Sequence, residues 1–400
     1  MSPINGGIVN LIERKMKPSI INQFRLYQYS LLQDIISQQI NYLIDEFGLQ
    51  HDKYFDKTKP IVIEEDASYI RINHYATYSI TSKLFRESSS NFLNINIPKL
   101  VDGSFFVLNS GWYIPLCYIG ETISYKKNSV MLYSAIHPIT MNLHGSDNRV
   151  IFMGNNISLR DFLLLISRDW PKEAIKAIDD EFGLTPEKYL PDIIKHCSKI
   201  FKIKSNDHSE IINHLSKLFF DPWTSELYRT VYNIYPNISQ LILNTFSQRY
   251  QLLHDDTIDR DKLFIDLRIK RLMFIEPILR PIFRAVSKCI SELLSGKQPM
   301  HLKLASDEII KRFYKDLNGN SLYNTTNGFS SILAHKASFK NPSSDSKLPR
   351  AVSSIHFTHK GRICSNSISN QSPGETVSLI SDQNIDLKFG TFIENCKIGD

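Results

Sequence analysis

An α+β fold, with mixed helices and sheets, is what this sequence predicts, and three observations carry the reading. A long run with helical apolar spacing comes first, short β-branched and aromatic runs follow, and helical spacing then returns. Hydrophobic residues make up 42% and aromatics 11% of the 400 residues, enough to bury a substantial interior.

The first element runs from Asn22 to Gly48. It sets Phe24, Tyr27, Leu31, Ile35, Ile36, Ile40, Leu43 and Phe47 at helical spacing and stops at a glycine, a common residue past a helix end. From Pro60 to Tyr133 the texture changes to PIVIEED, SYIRINHYATYSI, VDGSFFVLNSGWYIPL and SVMLYSAI, strand-like runs broken by turn residues. Helices return at Ser158. Ser158-Leu-Arg-Asp161 reads as a capping box and Thr185-Pro186-Glu187 as a capping Thr before a Pro at the first helical position, so 158–255 is expected to be mostly helical. LFIDLRIKRLMFIEPILRPIFRAVSKCISELLSG, from Leu263 to Gly296, is a further long helical candidate, kinked or interrupted at Pro277 and Pro281. Beyond Leu317 the pieces NGNSLYNTTNGFSS and NPSSDSKLP are loops by composition, and no internal repeat is visible.

Composition excludes several classes. Cys117, Cys197, Cys289, Cys364 and Cys396 are widely spaced with no C-x-x-C, which argues against a disulfide framework or a thiolate zinc cage and for reduced thiols in a cytoplasm. The start lacks a continuous apolar leader, and runs such as Phe162–Ile166 are too short to span a bilayer, so a soluble intracellular protein without a membrane role is expected. There is no G-x-x-x-x-G-K, no G-x-S-x-G, no G-x-G-x-x-G after a strand and no tight D-x-D-x-D run for a magnesium pair. The acidic cluster HDDTIDRD interleaves with Arg260 and Lys262 and reads as a solvated helix start rather than a cation loop.

A formal charge of +6 and a pI near 8.8 permit nucleic-acid binding, and the charge distribution adds to this. Between His335 and Glu375 there are six Lys/Arg (Lys336, Lys340, Lys347, Arg350, Lys360, Arg362) against two acids, with three histidines. Such an excess suits a phosphate-facing surface, the alternative being a solvated loop with a charge bias. Within it lies IHFTHKGRIC, Ile355 to Cys364. His356, His359 and Cys364 have no second Cys/His pair near in sequence to complete a four-ligand zinc site. A metalloenzyme using His356 and His359 is therefore the weakest reading.

As a string, this decapeptide is similar to the His-Pro-Ser/Thr-His-Tyr-Gly-Arg-x-Cys segment of the β subunit of multisubunit DNA-dependent RNA polymerases. His356, Thr358, His359, Gly361, Arg362 and Cys364 match in order and spacing, while Phe357 and Lys360 replace a Pro and an aromatic. Further segments resemble that subunit in the same order. INIPKLVDGSFFVLNSG (Ile95–Gly111) looks like its protrusion segment, and DLRIKRL (Asp266–Leu272) with EPILRPIFRAV looks like its Asp-x-x-x-Lys/Arg-Arg-Leu segment and following helix. NGFSSILAHKAS (Asn327–Ser338) resembles the stretch before the fork loop, and SPGETVSLI (Ser372–Ile380) is a worn Thr-Pro-Glu-Gly-Pro-Asn-x-Gly-Leu. The opening helix is similar to one near the β N-terminus.

The departures are as definite. CSNSISNQSPGE lacks the family's first Pro-x-Glu, Ala337 stands where an Arg is usual, and Asp400 falls where a cellular β subunit would continue. The resemblance thus implies the N-terminal portion of a split β subunit, as in giant bacteriophages.

Its implied architecture is the β protrusion, lobe and fork: 1–135 the first part of the protrusion, 136–255 the lobe, 256–320 the second part, and 321–400 the fork region. The implied chemistry is nucleotidyl transfer at two Mg2+ held by a β′-like partner chain, with no catalytic residue and no metal ligand in this chain. Other implied partners are a C-terminal β-like chain, a promoter-specificity subunit, template DNA and the RNA–DNA hybrid, in the cytoplasm of an infected host or packaged in the virion. Lys336, Lys340, Lys347 and Arg350 would neutralise phosphates along the fork, and Lys270 and Arg271 would contact the hybrid or template phosphates. Arg362 would take a phosphate or carboxylate, or serve a buried ion pair. His356, His359, Gly361 and Cys364 would form a structural motif. The alternative is a stand-alone nucleic-acid-binding or structural phage protein.

Overall fold

In the computed structural model the described residues are 20–46, 63–66, 75–81, 92–98, 100–101, 105–108, 111–113, 116–126, 128–143, 148–176, 190–201, 203, 207–254, 265–277, 279–280, 282–284, 286–287, 336–339, 354–364, 376–380 and 384–393. Helix α1 (Ile20–Glu46) buries Ile21, Phe24, Leu32, Ile35, Ile36, Ile40 and Leu43 along one stripe. Leu26 and Tyr27 remain exposed on the opposite side.

Two small antiparallel sheets follow, β1 (Ile63–Asp66), β2 (Tyr75–Thr81) and β3 (Phe92–Pro98), then β4 (Leu100–Val101), β5 (Phe105–Leu108) and β6 (Gly111–Tyr113). After β7 (Cys117–Glu121) comes a five-stranded antiparallel meander of β8 (Ile123–Lys126), β9 (Ser129–Leu132), β10 (Ile139–Asn142), β11 (Arg149–Phe152) and β12 (Asn155–Ser158), in the order β12-β11-β10-β9-β8. Alternate residues Val130, Leu132, Ile139, Met141, Val150 and Phe152 are buried, the period-two pattern of a sheet with one covered face. Sheet structure thus continues past Tyr133, where the strand-like texture of the sequence ends.

Helices α2 (Leu159–Ile166), α3 (Leu190–Ile200), α4 (His208–Phe219), α5 (Pro222–Tyr232) and α6 (Ile238–His254) follow. Ser158 caps α2 by accepting from the Asp161 amide, and Asp221 caps α5 ahead of Pro222. The Thr185–Pro186 start lies outside the described residues.

The 263–296 stretch departs from the helix expected of it. Leu267–Ile269 is a single 3-10 turn, β13 (Lys270–Met273) is a strand with all four residues buried, and helical residues begin at Glu276 with Pro277 in the first turn. A strand covered on both faces reads as an unbroken run, which periodicity cannot tell from a helix. β13 joins β7, β14 (Lys336–Ser338) and β15 (Thr376–Ser378) in a four-stranded sheet of order β13-β7-β14-β15, parallel only between β7 and β14.

Two cores result. One gathers α1, Ile97, Leu100, Phe106, Cys117, Ile119, Trp223, Leu227, the 265–286 stretch, Ala337, Ile363, Val377, Leu379, Ile385 and Phe389. The other draws only on residues from Ile123 to Phe246. Strands β9 and β10 pair across the connection at 133–138, where Tyr133, Ala135 and Ile136 pack into the first core while Val130, Leu132, Ile139 and Met141 pack into the second. Helix α5 faces both cores, with Trp223 and Leu227 in one and Tyr228 in the other.

Asp221 ties the two together. Its carboxylate accepts from Gln39 Nε2, Ser134 Oγ, the Ala135 amide, the Thr224 amide and Thr224 Oγ1 at 2.5–3.2 Å, so a fully buried charge is surrounded by donors. Among the described residues no helix is long and apolar enough to cross a membrane.

Candidate nucleic-acid interface

Four of the segments that resemble polymerase β meet at the four-stranded sheet. DLRIKRL supplies β13, the KAS end of Asn327–Ser338 supplies β14, and SPGETVSLI supplies β15. IHFTHKGRIC attaches beside β15: Ile363 bridges Leu379, the Cys364 amide donates to Ser378 O at 2.9 Å, and the Ile380 amide donates to Arg362 O at 2.9 Å. The fifth, Ile95–Gly111, contributes Ile97, Leu100 and Phe106 to the same core.

Within IHFTHKGRIC, Phe357–His359 forms one 3-10 turn closed at both ends. His359 Nε2 donates to the Ile265 carbonyl at 2.9 Å, so its Nδ1 is left to accept from the His356 amide at 3.3 Å. Burial lowers the His359 pKa from its ordinary value; the Ile265 bond and Asp266 oppose this and His356 adds to it. The ring is therefore neutral in the physiological range. The Leu267 amide donates to Thr358 Oγ1 at 3.1 Å, which directs the Thr358 hydroxyl proton to His356 Nδ1 at 2.7 Å. Two histidines and a threonine thus pin the 265–267 backbone to the turn. Gly361, at φ +71°, then turns the chain toward β15 in a conformation that costs a side-chain-bearing residue more. Cys364 is half-buried and in no disulfide.

Lys270 and Arg271, expected to contact phosphates, are both buried. Lys270 is buried and pairs with Glu121 on the neighbouring strand β7. Arg271 is 1% exposed; its Nη1 and Nη2 donate to the two Glu276 carboxylate oxygens at 2.8 and 2.7 Å, Nε to Thr122 Oγ1 at 2.8 Å, and Nη1 also to Phe389 O at 3.2 Å. Glu276 further accepts from Trp223 Nε1 at 2.9 Å. Burial by itself would lower the Arg271 pKa, but the Glu276 carboxylate outweighs it and the guanidinium is held more firmly charged than usual. Both cations are thus buried and paired with carboxylates of the fold.

Surface charge lies at the turn instead. Residues 354–364 contain the cations Lys360 and Arg362 and no acid. Lys360 is exposed, and half-buried Arg362 donates from Nη1 to Thr358 O at 3.2 Å. Lys336 lies on β14, while Lys340, Lys347 and Arg350 lie outside the described residues, as does the HDDTIDRD cluster from Asp255 on. Among the described residues no group of three or more His, Cys, Asp or Glu is placed to hold a metal ion.

Two residues in this region carry no distinguishing mark in the sequence. Arg268 chelates Asp266, with Nη2 at 2.6 Å and Nε at 3.1 Å from both oxygens, and lays its guanidinium 4.9 Å from the Phe357 ring centre. Phe357 is 68% exposed. Its substitution for the Pro of the resembled motif is the one signal that could have singled it out. No known protein-family model and no curated protein sequence matches the chain.

Proposed function

We propose that this chain is the N-terminal β-like subunit of a multisubunit DNA-dependent RNA polymerase, forming one jaw of the DNA cleft and the fork beside the active centre. The observation that supports this is the convergence of DLRIKRL, KAS, IHFTHKGRIC and SPGETVSLI on one sheet, although they are spread from Asp266 to Ile380. Chance matches scattered along a chain have no reason to meet in space. In this reading residues 136–255, which carry most of the second core, are the lobe, inserted into a discontinuous protrusion of 1–135 and 256–320.

The division of labour follows from the side chains. Nucleotidyl transfer needs carboxylates that hold two Mg2+ ions against the attacking and leaving oxygens, and the β′-like chain supplies them. This chain positions. The His356–Thr358–His359 turn holds the 265–267 backbone against β15, and its cations Lys360 and Arg362 meet strand phosphates. A C-terminal β-like chain, β′-like chains and a promoter-specificity subunit complete the assembly, which works in an infected host cell or travels in the virion.

The test is affinity purification of the tagged chain from infected cells. The expected result is co-purification with a β-like continuation and a chain bearing Asp-Phe-Asp-Gly-Asp, together with Mg2+-dependent RNA synthesis from a DNA template. Recovery of a monodisperse chain bound to no other protein, with salt-sensitive DNA binding and no RNA synthesis, would replace this reading with the stand-alone nucleic-acid-binding protein.

A further inference from the structure

Phe357 is out of place as a structural residue. A phenylalanine held in a closed turn ordinarily fills a core, yet this ring is 68% exposed and its neighbour Ile355 is 62% exposed. The ring is nonetheless held: the His356 ring lies 4.3 Å from it at 41°, and the Arg268 guanidinium sits 4.9 Å from its centre. Asp266 fixes Arg268, and the His356–His359 bonds fix the turn. A rigid aromatic surface kept open to solvent is prepared for an external flat partner, since the ordering cost of presenting it is already met.

The surrounding charge narrows the partner. Lys360 and Arg362 follow within five residues of the ring, no acid occurs in 354–364, and the nearby Asp266 is already chelated by Arg268. Arg268 over an aromatic face adds a cation to the platform itself. A polyanion with exposed π faces fits this set, and single-stranded nucleic acid is such a molecule, whereas a duplex keeps its base faces stacked inside. We infer that Phe357 is a stacking platform for an unpaired nucleobase, with Lys360 and Arg362 on the adjoining phosphates. This rests on the reading that the turn faces nucleic acid, and adds to it the state of that nucleic acid, single-stranded with a base unstacked.

The experiment measures binding of the full-length chain to a labelled thymidine oligonucleotide and to an abasic oligonucleotide of equal length and phosphate number. Phe357→Leu is expected to weaken thymidine binding about tenfold, within the usual effect of losing one base–aromatic stack, and to leave abasic binding unchanged. Phe357→Trp is expected to retain the thymidine preference. Lys360→Ala with Arg362→Ala is expected to weaken both ligands and to flatten the salt dependence by roughly 0.7 in log–log slope for each phosphate no longer neutralised. Equal thymidine binding by Phe357→Leu and the unaltered chain overturns the inference, as does an equal loss on both ligands. Loss of a co-purifying protein with thymidine binding intact also overturns it and makes the ring a protein contact.

Failure of the polymerase reading is distinguishable. An assembly that makes RNA while Phe357→Leu binds normally removes only the stacking, and a thymidine-specific loss in a chain that joins no polymerase leaves the stacking standing.

Discussion

Replacing Arg271 by Met separates a buried structural cation from a nucleic-acid contact. The substitution removes a two-pronged ion pair with Glu276 and the donors to Thr122 Oγ1 and Phe389 O. Glu276, 1% exposed, is left charged in the interior with the Trp223 indole N–H still donating to it. Breaking one side of such a pair costs about 3–5 kcal/mol, most of it the uncompensated charge. With a urea dependence of roughly 2–3 kcal/mol per molar, the unfolding midpoint of the core built on α1 and β13 should fall by about 1–2 M. Near- and far-ultraviolet circular dichroism read that transition; the 123–246 core provides an internal comparison. Adding Glu276→Gln removes the stranded charge and should recover at least about 1 kcal/mol, because neutralising the survivor of a broken pair relieves its burial. An Arg271→Met chain that unfolds within about 1 kcal/mol of the original and has weakened oligonucleotide affinity would refute the reasoning, since the guanidinium would then be engaged outside the fold.

Two further predictions follow from backbone and protonation. Gly361 and Gly390 both take positive φ, but a Cβ at Gly361 meets nothing within 4 Å while one at Gly390 would drive into the Leu272 carbonyl. Gly361→Ala should therefore cost about 1–2 kcal/mol of backbone strain and Gly390→Ala distinctly more, as ranked by thermal unfolding. His359 has its pKa lowered below the ordinary 6.5 by burial. Its contribution to stability is thus complete above about pH 6.5 and is lost as the pH falls through the lower folded-state value. Thermal midpoints should hold between about pH 8 and 7 and drop toward about pH 5; His359→Gln should start lower at about pH 7.5 and drop less, and an equally steep fall in the variant would count against the neutral, Ile265-bonded ring.

Much of the fold could be read from local pattern. The stripe Phe24, Ile35, Ile36, Ile40 and Leu43 is buried as helical spacing requires, and the Ser158 cap sits where its residue type suggests. Pattern failed where burial was two-sided or partners were remote. Lys270–Met273 reads as helix because both faces of the strand are covered, and only the distant edge of β7 makes it a strand. The Arg271–Glu276 pair joins residues five apart that share neither a helix turn nor a strand face, and Thr122 reaches it from far along the chain. Asp221 caps α5, but nothing local announces Gln39 and Ser134 as further donors to it. At the candidate interface the turn residues could be picked out by string similarity, whereas the exposure of Phe357 and the reach of Arg268 emerge only when 265–269 and 354–364 are brought together.

The loop at 384–393 bears on how the protein is made. Gln28 accepts from the Ile275 amide and donates to the Lys388 carbonyl, Phe389 packs on Trp223, and the Leu272 amide donates to Gly390 O, so synthesis must pass residue 390 before helix α1 and strand β13 can settle. Among the described residues, those of the 123–246 core are all made before this loop. On a ribosome delivering residues one by one, the middle of the chain can fold early while helix α1, made before it, lacks its 384–393 partners until they emerge and is the part most in need of protection from aggregation.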